Sequence, residues 1–214
     1  MKVSVPPSVP RRHFTVDEYY CMAEAGVLRE DERVELLDGE IIEMSPIGSR
    51  HAACVRGLTE RFVLRLAGRA IVSTQNPVRL SSGSEPEPDL ALLRPRADGY
   101  AKEHPGPEDV FLIIEVADTT LDYDRDTKLA FYAAAGIPEV SIWDLNGGRV
   151  FVHRQPVDGQ YRRTSVTERG ACSRPKPFQT WSCWLMTSSD KVRRPGRHSF
   201  IGIRRDSGMA GRCD

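Results

Sequence analysis

The stretch FLIIEVADTT, Phe111 to Thr120, limits the possible folds of this chain more than any other. Five of the six residues from Phe111 to Val116 are apolar, several of them β-branched, and turn residues follow. That pattern predicts a buried strand. Glu115 stands inside it. A carboxylate in such a strand is costly unless it is paired, hydrogen-bonded or metal-bound. Any fold for this chain must supply Glu115 with a partner.

The surrounding sequence alternates helix and strand signals. Thr15 and Glu18 have capping-box spacing, so TVDEYYCMAEAGVL predicts a helix that Gly26 closes. RVELLDGEIIEM sets two alternating apolar runs around Asp38-Gly39, a strong hairpin signal. Val55, Leu58, Phe62 and Leu66 fall at helical spacing before Gly68. AIVSTQNPVRLSSGSEPEPDLALLR predicts two or three strands broken by turns, and DYDRDTKLAFYAAAGIP a helix stopped by Gly136 and Pro138. EVSIWDL and RVFVHRQ flank Asn146-Gly147-Gly148 as a hairpin, which QYRRT extends. Together these signals predict one mixed α/β domain over residues 14–168, after a loose Pro-rich segment at residues 1–13.

A chain of 214 residues is long enough for one such domain with a real core. Its 30 basic and 30 acidic residues cancel, which argues against a strongly basic nucleic-acid binder but leaves room for a local basic groove. No apolar run approaches the roughly 20 residues that span a bilayer. The segment MKVSVPPSVPRR lacks the apolar core of a signal peptide, so a cytoplasmic location without membrane attachment is expected. The cysteines, Cys21, Cys54, Cys172, Cys183 and Cys213, form no CxxC pair and read as reduced thiols.

Three groups carry the candidate chemistry. Asp89 lies near the start of PDLALL, and Glu115 lies in the next strand. If those strands are sheet neighbours, the two carboxylates converge at one end. Two carboxylates with a backbone carbonyl are the hard oxygen donors that Mg²⁺ takes, usually with several waters. Lys128, early in the following helix, is placed to orient an attacking water or to stabilise transition-state charge. Glu35, in the first strand of the hairpin, reads equally as a further acid of the site or as an outward residue. His51 reads as a helix cap, a surface residue or a functional histidine. Trp143 and Tyr161 read as core or edge aromatics.

Pro88-Asp89 followed by EVA at Glu115 to Ala117 resembles the PD-(D/E)xK nuclease signature. The strict motif has its lysine two residues after the acid, where this chain has Ala117. IIEVADTTLDYDRDTKLAFYAAAGIPEVSIWD resembles the Uma-type restriction endonuclease family, in which the lysine has moved to the following helix, here Lys128. ELLDGEIIEMSPIGSRH resembles the N-terminal segment of that family, on Glu35, Gly39, Glu40, Pro46 and His51. The resemblance covers about Phe14 to Arg154. It implies a restriction-endonuclease-like α/β core, a mixed β-sheet flanked by helices. It further implies Mg²⁺-dependent, or Mn²⁺-dependent, hydrolysis of nucleic acid, with DNA the expected partner. Asp89 and Glu115 would bind the metal, with Lys128 and Glu35 beside them. A homodimer would give such an enzyme two sites for two strands.

Other readings stand beside these. Glu115 could answer a buried Arg rather than act as a metal ligand at the edge of the sheet. Asp89 could cap a turn. Lys128 could pair with Asp124 on an exposed helix face for about 0.3–0.5 kcal/mol. Asp124, Lys128 and Tyr132 form an i, i+4, i+8 line that either meets solvent or flanks the pocket. The whole could be a non-catalytic interaction module, or a hydrolase of a small phosphorylated substrate.

From residue 169 the character of the chain changes. The segment to residue 214 has no sustained apolar period, yet holds two of the three tryptophans and three of the five cysteines. Trp and Cys are poor disorder formers. A reading-frame shift explains the segment better than a natural extension: the displaced frame can encode a turn, a Pro-Asp helix start, an apolar helix and a stop. The expectation is a tail with little regular structure and no function, leaving an apolar patch on the domain uncovered.

Overall fold

A computed structural model describes residues 10–29 and 31–168. The expectations for the N-terminal segment up to residue 9 and for the tail, residues 169–214, lie outside the described residues.

The first helix, α1 (Val16–Glu24), starts with the anticipated capping box. The Glu18 N–H donates to Thr15 Oγ1 at 3.2 Å, and the Thr15 N–H donates to Glu18 Oε2 at 3.0 Å. Strands β1 (Val34–Leu37) and β2 (Glu40–Glu43) form a separate antiparallel hairpin. Its turn residues, Asp38 and Gly39, have φ of +49° and +71°, as a two-residue turn of this kind requires. Helix α2 (Ser49–Leu66) follows, burying Val55, Leu58, Phe62 and Leu66 along one stripe as the spacing predicts.

The main sheet has six strands in the order β3 (Ile71–Thr74), β4 (Leu90–Leu93), β5 (Val110–Ala117), β6 (Glu139–Asp144), β7 (Arg149–Val157) and β8 (Gln160–Glu168). Neighbours are antiparallel except β5 and β6. A parallel pair needs a crossover connection. Here that crossover is a continuous helical stretch: α3 (Leu121–Tyr123), a π-helical turn (Asp124–Lys128) and α4 (Leu129–Ala134).

Each face of the sheet carries its own core. Leu90, Leu92, Leu112, Ile114 and Val116 pack with the α2 stripe. Ala91, Leu93, Ile113, Ala117, Val140 and Ile142 pack with Tyr132 and Ile137 on the other face. Strand alternation explains the division, since successive residues point to opposite faces. β5 is an interior strand covered on both sides, so its sequence is a nearly continuous apolar run. Glu115 therefore does not lie at the edge of the sheet, as the sequence reading had it, but near the C-terminal end of an interior strand. Among the described residues, no helix is long and apolar enough to cross a membrane.

Candidate active site

Register and alternation build the site. Leu90 pairs with Ile114, so Asp89 and Glu115, one residue further out on each strand, meet at this end of the β4–β5 pair. Glu115 has the parity of Ile113 and Ala117 and so belongs to the α4 side of the sheet, while Asp89 stands in the bend that leads into β4. The Asp89 N–H donates to Glu115 Oε2 at 3.3 Å, and the Val116 N–H donates to Asp89 Oδ2 at 2.8 Å.

The crossover brings in the lysine. In a regular α-helix, eight residues overshoot two turns by about 80°. A π-helical turn holds more residues and takes up that excess. Asp124, Lys128 and Tyr132 are accordingly all buried, on the line that the sequence suggested. Lys128 Nζ lies 3.0 Å from Glu35 Oε2 and 3.3 Å from Glu115 Oε1. Its ion pairs are thus with these two buried acids, and it is not half of an exposed pair with Asp124. Asp124 instead accepts the Thr120 hydroxyl at 2.7 Å.

Glu35 points inward and is buried. The β1–β2 hairpin delivers it, because the Glu85 N–H donates to Leu36 O at 2.8 Å and ties β1 to the segment leading into β4. Glu35 is well supplied with donors: Tyr123 Oη at 3.0 Å on Oε1, and the Glu87 N–H and Lys128 Nζ at 3.0 Å each on Oε2. Tyr132 Oη donates to Glu115 Oε1 at 2.5 Å. His51, in the first turn of α2, has Nε2 2.9 Å from each oxygen of Asp89.

Three carboxylates, those of Glu115, Glu35 and Asp124, thus act on the Lys128 ammonium, with Asp89 and its partner His51 beside them. The electrostatics reflect that imbalance. Burial pushes Glu115 up to about 8; Lys128 opposes the shift, while Asp124 and Asp89 reinforce it. Burial also raises Asp124 to about 6, against the Thr120 hydrogen bond and Lys128. For Lys128, burial alone favours the neutral amine, but Glu115, Glu35 and Asp124 outweigh it and hold the ammonium above its usual range. The hydrogen bond to Asp89 raises His51, with burial opposing.

The site opens onto a cleft of about 430 Å³. Its lining includes Met44, Pro46 and Ile47 from the segment after β2, Asp118 and Thr119 from the loop after β5, and Asp122 from α3. The donor chemistry fits a hydrated divalent cation. Among the described residues, no three His, Cys, Asp or Glu side chains form a ready-made metal cage. Mg²⁺ does not need one: it keeps several waters and is commonly held by one or two carboxylates. Asp89 and Glu115 are such a pair, in a cluster with surplus negative charge.

All four residues singled out from the sequence, Asp89, Glu115, Lys128 and Glu35, are brought together, and His51 joins them through Asp89. Tyr123 and the Glu87 N–H were not anticipated. Nothing in the local sequence marks them, since both act on Glu35, 88 and 52 residues away. Tyr132 was visible as part of the polar line, though not its contact with Glu115.

The fold is shared with a solved structure, described as a "putative nuclease belonging to DUF820 from Anabaena variabilis ATCC 29413". The two chains are 17% identical, with a TM-score of 0.57, over 77% of this chain and 89% of the other. At that identity the likeness concerns the fold alone. No curated protein matches the chain. A family model described as "Uma2: Putative restriction endonuclease" matches residues 16–187, most of the sequence, and the chain belongs to that family.

Proposed function

We propose that the chain is a divalent-metal-dependent nuclease that hydrolyses nucleic-acid phosphodiester bonds, with DNA as its substrate. The observation that carries this reading is the mutual hydrogen bonding of Asp89 and Glu115 beside the Lys128 ammonium. Family membership and the shared fold support it.

Asp89 and Glu115 would hold the ion, Mg²⁺ or Mn²⁺. When bound, it supplies positive charge against phosphoryl oxygens and lowers the pKa of a coordinated water. Lys128 is assigned no role as a base, since Glu115, Glu35 and Asp124 favour its ammonium over the neutral amine. Its part is electrostatic: a fixed ammonium facing charge that develops on the phosphoryl group. Glu35 anchors that ammonium, and Tyr123 and the Glu87 N–H anchor Glu35. Glu35 is therefore assigned to positioning Lys128 rather than to the metal.

A second reading draws on the size of the cleft. About 430 Å³ lies within the range of small-molecule sites, so hydrolysis of a small phosphorylated compound is the alternative. One experiment separates the readings. Plasmid, single-stranded DNA and bis(4-nitrophenyl) phosphate are each incubated with the full chain in Mg²⁺, Mn²⁺ or EDTA. Metal-dependent nicking or linearisation is expected, abolished by EDTA. Turnover of the small diester alone would favour the second reading. Metal binding with no cleavage of any substrate would leave a non-catalytic module.

A further inference from the structure

We infer that His51 and Tyr132 are positioning residues that determine which oxygens Asp89 and Glu115 turn toward a divalent cation. The inference rests on the metal site proposed above.

The two carboxylates are oriented in the same way from opposite sides of the sheet. Each receives a backbone N–H from the other's strand and a side-chain donor from a helix. For Asp89 these are the Val116 N–H at 2.8 Å and His51 Nε2 at 2.9 Å, from α2. For Glu115 they are the Asp89 N–H at 3.3 Å and Tyr132 Oη at 2.5 Å, from α4. The donors are unevenly distributed. Glu115 Oε1 takes both the short Tyr132 bond and the Lys128 ammonium. Among the described residues, Oε2 has only the long bond from the Asp89 N–H, so it keeps spare acceptor capacity on the side facing Asp89. A cation shared by the two acids needs an acceptor in that place.

Packing alone does not explain the two residues. The ring of Tyr132 is fully buried and packs in the hydrophobic cluster on the α4 face, where Phe would fill nearly the same volume. A buried phenol needs a partner to offset its desolvation, and the partner it has is a candidate ligand. His51 stands in the first turn of α2, and its Nε2 is directed at the Asp89 carboxylate, 38 residues away, rather than at its own helix. Such outer donors hold a ligand in one orientation, and their loss typically weakens metal affinity by about 10- to 100-fold.

The test measures Mn²⁺ binding by the full chain by electron paramagnetic resonance, without nucleic acid, alongside metal-free thermal melting. Tyr132→Phe and His51→Ala are each expected to weaken Mn²⁺ binding about 10-fold or more, while both proteins still melt cooperatively. His51→Gln, whose side-chain amide places a donor near the position of Nε2, is expected to recover most of the affinity. Parent-like Mn²⁺ affinity in Tyr132→Phe and His51→Ala overturns the inference even if cleavage falls. Affinity in His51→Gln no better than in His51→Ala overturns the part played by His51. Absence of Mn²⁺ binding by the parent overturns the inference together with the function on which it rests.

Discussion

Asp89 and Glu115 hold each other in place through their backbones: the Asp89 N–H donates to the Glu115 carboxylate, and the N–H one residue after Glu115 donates to the Asp89 carboxylate. The cost of a carboxylate in an apolar strand is thus offset by a backbone donor, a lysine and a phenol. The same contacts fix the separation of the two acids.

The first prediction tests that pair. Asp89→Asn and Glu115→Gln keep size and much of the hydrogen bonding but remove the anion. Cleavage in Mg²⁺ is expected to fall by on the order of 100-fold or more, as when a preorganised electrostatic contact is lost. Glu115→Gln should be at least as stable as the parent, because burial already disfavours the charged form. Calorimetric metal titration and denaturant melts check both points. Parent-like metal affinity in both variants would remove the two acids from the metal site.

Lys128 and Glu35 should be energetically coupled. Lys128→Met takes away the ammonium that lies between two buried acids, and breaking such a pair on one side costs about 3–5 kcal/mol. Adding Glu35→Gln removes one of the stranded charges and should recover a substantial part of that loss. It should not recover cleavage, which needs the ammonium. Lys128→Arg should not restore full activity either, since a planar guanidinium does not reproduce a compact ammonium. A double-mutant cycle in denaturant, run beside the cleavage assay, separates the two effects. Additive stability losses would mean that the two residues do not interact.

Much of this was legible in the sequence because local patterns carried it. The apolar run around Glu115 marked a buried strand, though not its interior place in the sheet, Asp38-Gly39 marked the hairpin, and the spacing from Val55 to Leu66 marked the stripe of α2. The line of Asp124, Lys128 and Tyr132 suggested one polar helix face. Its burial depended on a π-helical turn that no residue in DRDTK advertises. Strand order was not legible, because the β5–β6 parallel pairing follows from how the crossover packs rather than from either strand. Contacts that join distant segments, such as Tyr123 with Glu35, have no local signature.

His153 gives the fold a pH dependence away from the site. It is buried in β7, where Nδ1 is hydrogen-bonded to the Thr164 hydroxyl at 3.0 Å. Nε2 has no hydrogen-bond partner among the described residues. Burial lowers its pKa from an ordinary 6.5 to about 4. The unfolded chain therefore takes up a proton at higher pH than the folded one. The contribution of a neutral His153 is complete above pH 6.5 and is lost as pH falls from there toward 4. The loss is on the order of 3 kcal/mol. Asp124 and Glu115, raised by burial, act in the opposite sense, so the readout is the difference between the parent and His153→Gln. That difference should narrow as pH falls across this interval, in denaturant melts at several pH values. A constant difference would show that His153 titrates normally in the fold.

Two glycines with the same backbone angle should respond differently to a methyl group. Gly26 and Gly39 both have φ of +71°. At Gly26, a Cβ would meet nothing within 4 Å. At Gly39 it would stand 2.5 Å from His13 Cβ and 2.8 Å from the Phe14 backbone nitrogen. Phe14 cannot easily yield, because its N–H donates to Gly39 O at 2.9 Å and holds the entry to α1 against the hairpin. Gly26→Ala should cost only the conformational penalty of a left-handed residue, about 1–2 kcal/mol. Gly39→Ala should cost that and the clash, about 1–3 kcal/mol more. Because the hairpin carries Glu35 to Lys128, Gly39→Ala should also weaken cleavage, whereas Gly26→Ala should not. Equal stability losses in the two variants would show that the segment around His13 and Phe14 moves aside freely, and that the hairpin is not fixed by its contact with the start of α1.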